Sequence, residues 1–396
     1  MKRVLVCFLA VLVTALGCAK PGTVSFVCTQ EQVCGPLKAR PAYDFFSCAR
    51  DTGFVIPGLR QNFIPQGLAY WEARDQFLIS GYFMPLSGGS ASALLVLDGT
   101  SGQMVGEYTL TDDAGRELGG HFSGVAVAET DVFVTGGSGM YRIEMAEFDK
   151  AGAKGALYVR QELHTGIAAD SCSYSQGILW VGEYYHPQSF PLDGTHVIRC
   201  EDGTRHHAWV VGYSVTDTGL KPKYVFSVPD QVQGICMTDD GRIVLSRSYG
   251  RTNPSYLALY SDPRKDLPDG YVELEGKELP LWQLDSRRCL ASLTAPPMSE
   301  GCCGAGDGIY LIFESAAYYY YGLDPDNLSV DPTDTIWFIE IKNRAACTAL
   351  FRLFAQLQVA PVGGGNGIHH SAAEAVFFQS TDTRNGAAAG GADSVL

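Results

Sequence analysis

Five times along the chain a short polar turn launches a hydrophobic strand of the same shape. The copies read Pro65-Gln66-Gly67-Leu68-Ala69, Phe122-Ser123-Gly124-Val125-Ala126, Ala169-Asp170-Ser171-Cys172-Ser173, Val232-Gln233-Gly234-Ile235-Cys236 and Ser299-Glu300-Gly301-Cys302-Cys303. Each leads to a second hydrophobic run that ends in a small or polar group, at residues 76–80, 131–135, 178–182, 242–246 and 309–313. Short β runs repeated every 50 to 70 residues or so mark a β-propeller, whose units bury their faces only by stacking on one another.

The repeats extend outward. Runs at 93–97 and 104–108 follow the first pair, 209–213 and 224–228 the third, and 256–260 and 281–284 the fourth. Four antiparallel strands make a blade, so the chain is read as all-β and five-bladed, with a sixth, degenerate blade left open. The blades are expected over 60–115, 116–165, 166–230, 231–296 and 297–355. In the fifth, 336–340 supplies the third strand. The fourth comes either from 349–353 or from 54–57 near the N-terminus, and the latter would close the ring and cover a sheet edge.

Lys2 and Arg3 precede an apolar run over 4–16, the layout of a secretory signal over 1–17 and too short to span a bilayer. Ala15-Leu16-Gly17-Cys18 resembles a bacterial lipobox, which would make Cys18 a lipid anchor; ordinary cleavage and free secretion is the alternative. The expected location is extracellular or in the cell envelope, and any membrane contact would run through that anchor alone. Export permits disulfides, and Cys28, Cys34 and Cys48 lie in an N-terminal strap, 18–59, that one bridge would staple. Cys172, Cys236, Cys302 and Cys303 fall in strand positions and read as small buried packing residues. The tail over 362–396 is low in complexity and expected to be disordered. A net charge of −14 excludes nucleic-acid binding, which needs basic stripes, and suits a cationic or neutral ligand or an extracellular partner bound by a monomer.

Because the two inner strands of a blade are antiparallel, the residue entering the first and the residue leaving the second lie at one end. The entry positions are Gln66, Ser123, Asp170, Gln233 and Glu300, with His121 just ahead of the second. Converging on an axis, these oxygen-bearing groups form a hard-cation set, and calcium is the expected ion. The exit positions add Glu183, Arg247 and Glu314, with Tyr82, Tyr184 and Tyr249 as a ligand-stacking rim. Glu183, Glu314, Arg247 and His121 are the candidate catalytic groups, the two glutamates as acid and base if their surroundings separate their proton affinities. A glutamate lying away from Arg247, against Tyr184 or Tyr249, is the one expected to hold its proton. No nucleophile elbow, Walker loop or dinucleotide fingerprint occurs.

Several stretches resemble a group of poorly characterised exported β-propeller proteins found mainly in bacteria: residues 65–70, 120–127, 181–185, 232–235 with 246–253, and 297–301 with 313–315. That resemblance covers about residues 60–340 and brings no established activity. The five-slot ring is also similar, more distantly, to that of the calcium-activated nucleotidases (apyrases). Ser123, Asp170 and Glu300 match positions where that family has hydroxyl or carboxylate ligands, while Gln66 and Gln233 depart from it. Three functions follow as expectations. The first is an exported propeller binding calcium and a small polar ligand or a surface partner. The alternatives are a metal-dependent hydrolase of phosphoesters or lactones and a carboxylate-based glycosidase.

Overall fold

The computed structural model describes residues 27–34, 43–84, 91–322 and 328–341, all within its first compact unit, Met1–Phe351. The expected signal segment, the Cys18 anchor site, the tail over 362–396 and the strand candidate 349–353 lie outside the described residues.

Five sheets form five blades. The first contains Phe63–Trp71, Gln76–Phe83, Ser92–Asp98 and Met104–Thr111. The second contains Val125–Val127, Asp131–Thr135, Gly137–Glu144 and Gln161–Ala169. The third contains Ser171–Ser175, Ile178–Gly182, Ala208–Thr216 and Gly219–Val228. The fourth contains Val232–Met237, Ile243–Arg247, Ser255–Tyr260 and Cys289–Ala295. The fifth contains Ser299–Ala305, Gly308–Phe313, Thr335–Glu340 and, from the other end of the chain, Ala49–Val55.

The first strands of the five blades neighbour one another in cyclic order, the fifth returning to the first. The core follows the same ring. Leu68, Ile79 and Leu95 of blade 1 pack on Ile312 and Ile336 of blade 5. Ala69 and Leu78 of blade 1 pack with Val125 and Val134 of blade 2, and Phe133 and Leu163 of blade 2 with Val181 and Trp209 of blade 3. Trp180 and Phe226 of blade 3 pack with Ile235 and Leu245 of blade 4, and Val244 and Leu257 of blade 4 with Leu311 and Trp337 of blade 5. Five interfaces for five blades leave no room for a sixth. Each blade is covered on both faces, so second strands such as Asp131–Thr135 and Ile178–Gly182 are buried along their whole length instead of alternating.

Ring closure is made by the N-terminal strand. Ala49–Val55 pairs antiparallel with Thr335–Glu340, Asp51 opposite Trp337, so part of the segment read as a strap is the outer strand of blade 5. Phe45, just before it, is fully buried against Phe313 and Trp337. No disulfide joins Cys28, Cys34 and Cys48 to one another. Cys28 is instead buried and packed beneath Gly58, in the core between blades 5 and 1. Cys172, Cys236, Cys302 and Cys303 are all buried in interfaces between blades.

The run at 281–284 is not the fourth strand of blade 4. It belongs to Lys277–Gln283, which pairs parallel with the outer strand of blade 3, and Cys289–Ala295 completes blade 4. Lys154–Tyr158 likewise leaves blade 2 and adds to blade 1 in parallel. Both excursions cover an exposed sheet edge, which a sequential assignment of strands to blades does not anticipate. Among the described residues no helix is long and apolar enough to cross a membrane.

Candidate functional site

The glycine of the repeat is a contact between blades. A β-carbon at Gly67 would lie 2.7 Å from Gly124 Cα and from Val125 N, and one at Gly124 would lie 2.7 Å from Cys172 N. One at Gly234 would lie 2.7 Å from Glu300 O, and one at Gly301 would lie 2.6 Å from Gln66 O and Leu68 N. These backbone approaches hold the inner strands level, so the entry residues stand at one end of the ring. The third copy carries Ser171 in place of glycine, with its hydroxyl on Gly182 O.

Beside three of these glycines the ladder slips by one residue: between Pro65 and Gly67, between Val232 and Gly234, and between Ser299 and Cys302. Such bulges free a residue from pairing and re-aim its side chain. Gln66, Gln233 and Glu300 are the residues re-aimed. The small exit-slot groups have a different task. Ser80 donates to Phe122 O at 2.8 Å, Thr135 accepts from Gly124 N at 2.7 Å, and Ser246 and Ser299 share a bond of 2.8 Å. They stitch strand to strand and blade to blade.

At the channel mouth Gln66 of blade 1 donates its Nε2 to Glu314 Oε2 of blade 5 at 2.9 Å. The Tyr320 hydroxyl stands close to Glu314 and to Tyr82 of blade 1 and interacts with both electrostatically. Glu300 is 2 % exposed and stands beside Glu314, yet among the described residues no donor reaches its carboxyl. Burial, and then the neighbouring Glu314 charge, push the Glu300 carboxyl well above the ordinary range. Burial likewise raises Glu314, against the lowering pull of Tyr320, Gln66 and, more weakly, Arg251. Two close carboxyls in a desolvated place resist double ionisation, so the proton affinity of the pair is raised.

The opposite wall is blade 3. Tyr184 is buried and within electrostatic reach of Glu300 and Glu314 of blade 5 and of Asp170 beside its own blade, so blades 3 and 5 face each other across the axis. Its backbone N–H donates to Asp170 Oδ2 at 2.8 Å. Asp170 is pushed up to about 6, by burial first and by Glu183 second, against the lowering effect of that bond.

Glu183 is 1 % exposed and already engaged: its Oε2 accepts from Trp209 N and contacts His196 Nδ1, each at 2.9 Å, and the His196 ring stacks on Trp209. It is a bracing carboxylate within blade 3. Arg247 does not join Glu314 at the mouth. Ser246 points to blade 5, and strand alternation therefore turns Arg247 to the blade 3 side, where its Nε donates to Asp230 O at 2.9 Å. Burial lowers its proton affinity there. His121 is at the exposed rim, its Nδ1 3.2 Å from Ser123 Oγ and its ring stacked on Tyr82. Tyr249 stacks on His186 at the rim, 39 % exposed. Gln233 is half-buried, and its side chain makes no hydrogen bond among the described residues.

The structure thus brings Gln66, Tyr82, Tyr184, Glu300 and Glu314 together, with Asp170 behind Tyr184 and with Arg247 and Glu183 elsewhere. Tyr320 and Arg251 were missed by sequence reasoning. The Arg251 guanidinium lies 4.9 Å from the Tyr320 ring centre and 5.3 Å from that of Tyr319. The run of four tyrosines at Tyr318–Tyr321, close after Glu314, was the available signal.

For a metal, the mouth offers the two glutamates and the Gln66 amide oxygen. Among the described residues the three-group cluster of potential metal ligands is Cys200, Asp202 and Asp285, away from the channel, where Asp285 is held by Arg287. Asp170 therefore does not close with Glu300 and Glu314 into a three-carboxylate cage.

No family model matches this chain, and no curated protein matches it. Among solved structures it is similar to hydrazine synthase from Kuenenia stuttgartiensis, with TM-score 0.36 and 9% identity over 70% of this chain and 96% of that one. It is also similar to the calcium-binding protein regucalcin from Agrobacterium tumefaciens, with TM-score 0.34 and 12% identity over 71% of this chain and 92% of that one. Likenesses this distant say nothing about the site. The five-bladed assignment rests on the sheets and interfaces described above.

Proposed function

We propose that this chain is an exported propeller that binds a cation, with calcium as the metal candidate, together with a small polar ligand at the channel mouth. The observation that carries the reading is Glu300: a residue 2 % exposed, beside a second carboxyl, whose side chain meets no hydrogen-bond donor among the described residues. An unpaired buried carboxyl costs several kcal/mol or gives up its charge, and a bound cation removes that cost. Glu314 and the Gln66 amide oxygen are the other first candidates to face the cation, and Tyr82 and Tyr184 would border the ligand. The expected resemblance to exported propellers, the Cys18 anchor and a monomeric state belong to this proposal.

The test is the melting temperature of the full chain with calcium, with magnesium and with chelator. A cation at a hundredfold excess over its dissociation constant adds about 2.7 kcal/mol of stability. Glu300→Gln combined with Glu314→Gln should abolish the rise, and no response to any cation would remove the reading.

A hydrolase is the second reading, and the same pair favours it. A carboxyl that keeps its proton near neutrality beside one that does not is a general acid beside a base. The acid would be Glu300 or Glu314 in place of Glu183, whose Oε2 already accepts from Trp209 N–H and contacts His196 Nδ1.

A further inference from the structure

The cation-binding reading leaves open which kind of cation the mouth accepts, and the donor arrangement speaks to that. A hard divalent ion needs six or more oxygens turned toward it. Here the neighbours of the carboxyl pair are donors as much as acceptors: the Gln66 amide turns its N–H toward Glu314, and the Tyr320 hydroxyl stands close by. Glu314 is thereby satisfied. Of the two carboxyls, Glu300 is the one left without a donor among the described residues; it sits at a bulge, and Tyr184 of blade 3 and Tyr82 of blade 1 are both within its electrostatic reach. Both tyrosines are buried, and both are ring-bearing walls. Among the described residues no third carboxyl, Asp170 included, closes on the pair to form a metal-ligand cluster.

Resting on the cation-binding reading, we infer that the cation is the protonated amine of a small organic molecule, its N–H groups donating to Glu300 and its carbon frame lying against Tyr82 and Tyr184. An ammonium group supplies the missing donors that a carboxyl in this position lacks. Its single charge asks less of two neighbouring carboxyls that resist double ionisation than the two charges of calcium do. Tyrosine rings add cation–π attraction to an alkylammonium and make poor calcium ligands.

The experiment is calorimetric titration of the full chain at pH 7.5 with ethylammonium, tetramethylammonium and calcium as separate probes, on the parent, Glu300→Gln and Glu314→Gln. Ethylammonium should bind once per chain and more tightly than calcium. Tetramethylammonium, which has no N–H to donate, should bind about tenfold or more weakly, the scale of one lost charge-assisted hydrogen bond. Glu300→Gln should weaken ethylammonium by at least the same factor while melting as cooperatively as the parent; Glu314→Gln provides a second reading should the first variant fold poorly. Calcium binding that Glu300→Gln abolishes, with no ethylammonium binding, would overturn this inference and leave the cation-binding reading standing. Absence of binding by all three probes would overturn both. Equal ethylammonium affinity in the parent and both variants would place the amine elsewhere and overturn the inference.

Discussion

Gln66 of blade 1 donates to Glu314 of blade 5 across the seam where the ring closes, at 2.9 Å. The bond couples the site to the closure of the fold, and Gln66→Glu probes both. The replacement keeps the shape, removes the donor and adds a third carboxyl. It should cost about 1–3 kcal/mol at pH 8, the range for losing a hydrogen bond to a buried charged group. The added carboxyl is raised by its neighbours, so the penalty is present above the ordinary carboxylate range and should shrink as the pH falls toward 5. Urea unfolding at both pH values checks this. An equal loss at each pH would show that charge is not the cause.

Asp170 sets a pH dependence of its own. Its carboxyl is raised from 3.8 to about 6, chiefly by burial. Between those values the folded chain keeps a proton that the unfolded chain has released, so stability falls as pH rises through that window and the loss is complete above it. Two units correspond to roughly 1–3 kcal/mol. Asp170→Asn, which can still accept from Tyr184 N–H, should lack this decline, and parallel stability profiles of parent and variant from pH 4 to 8 would rule it out.

Gly301→Ala tests the collar. The new β-carbon would meet backbone atoms of Gln66, Gly67 and Leu68 at 2.6–2.8 Å, and backbone cannot rotate away. The expected loss is at least about 1–3 kcal/mol, the cost of overpacking. Gly194→Ala, with no atom within 4 Å, should be near neutral by the same urea measurement.

Phe45→Ala tests the closure. The ring is fully buried between Phe313 and Trp337, ahead of the strand that completes blade 5. A loss of about 3–5 kcal/mol is expected for such a truncation. A change within about 0.5 kcal/mol, the range of an ordinary surface substitution, would mean that the N-terminal segment does not clamp the ring.

The repeat fold was legible in the chain because each inner strand must touch two neighbours, which forces the same x-Gly pattern at Gly67, Gly124, Gly234 and Gly301. The level of the entry residues follows from that pattern and from antiparallel pairing, both local. The blade exchange of Lys277–Gln283 was not legible, because a parallel addition leaves no turn signal and any apolar run fits a covered edge equally well. Nor could sequence separate Glu183 from Glu314. Both follow a second strand, but one lies under Trp209 N–H and His196 while the other faces Glu300 and Gln66. Spacing determines which end of a strand a residue occupies. The direction in which Arg247 turns, the burial of Glu300 and the approach of Tyr184 from across the axis depend on atoms far apart in the chain, and only the closed ring of blades decides them.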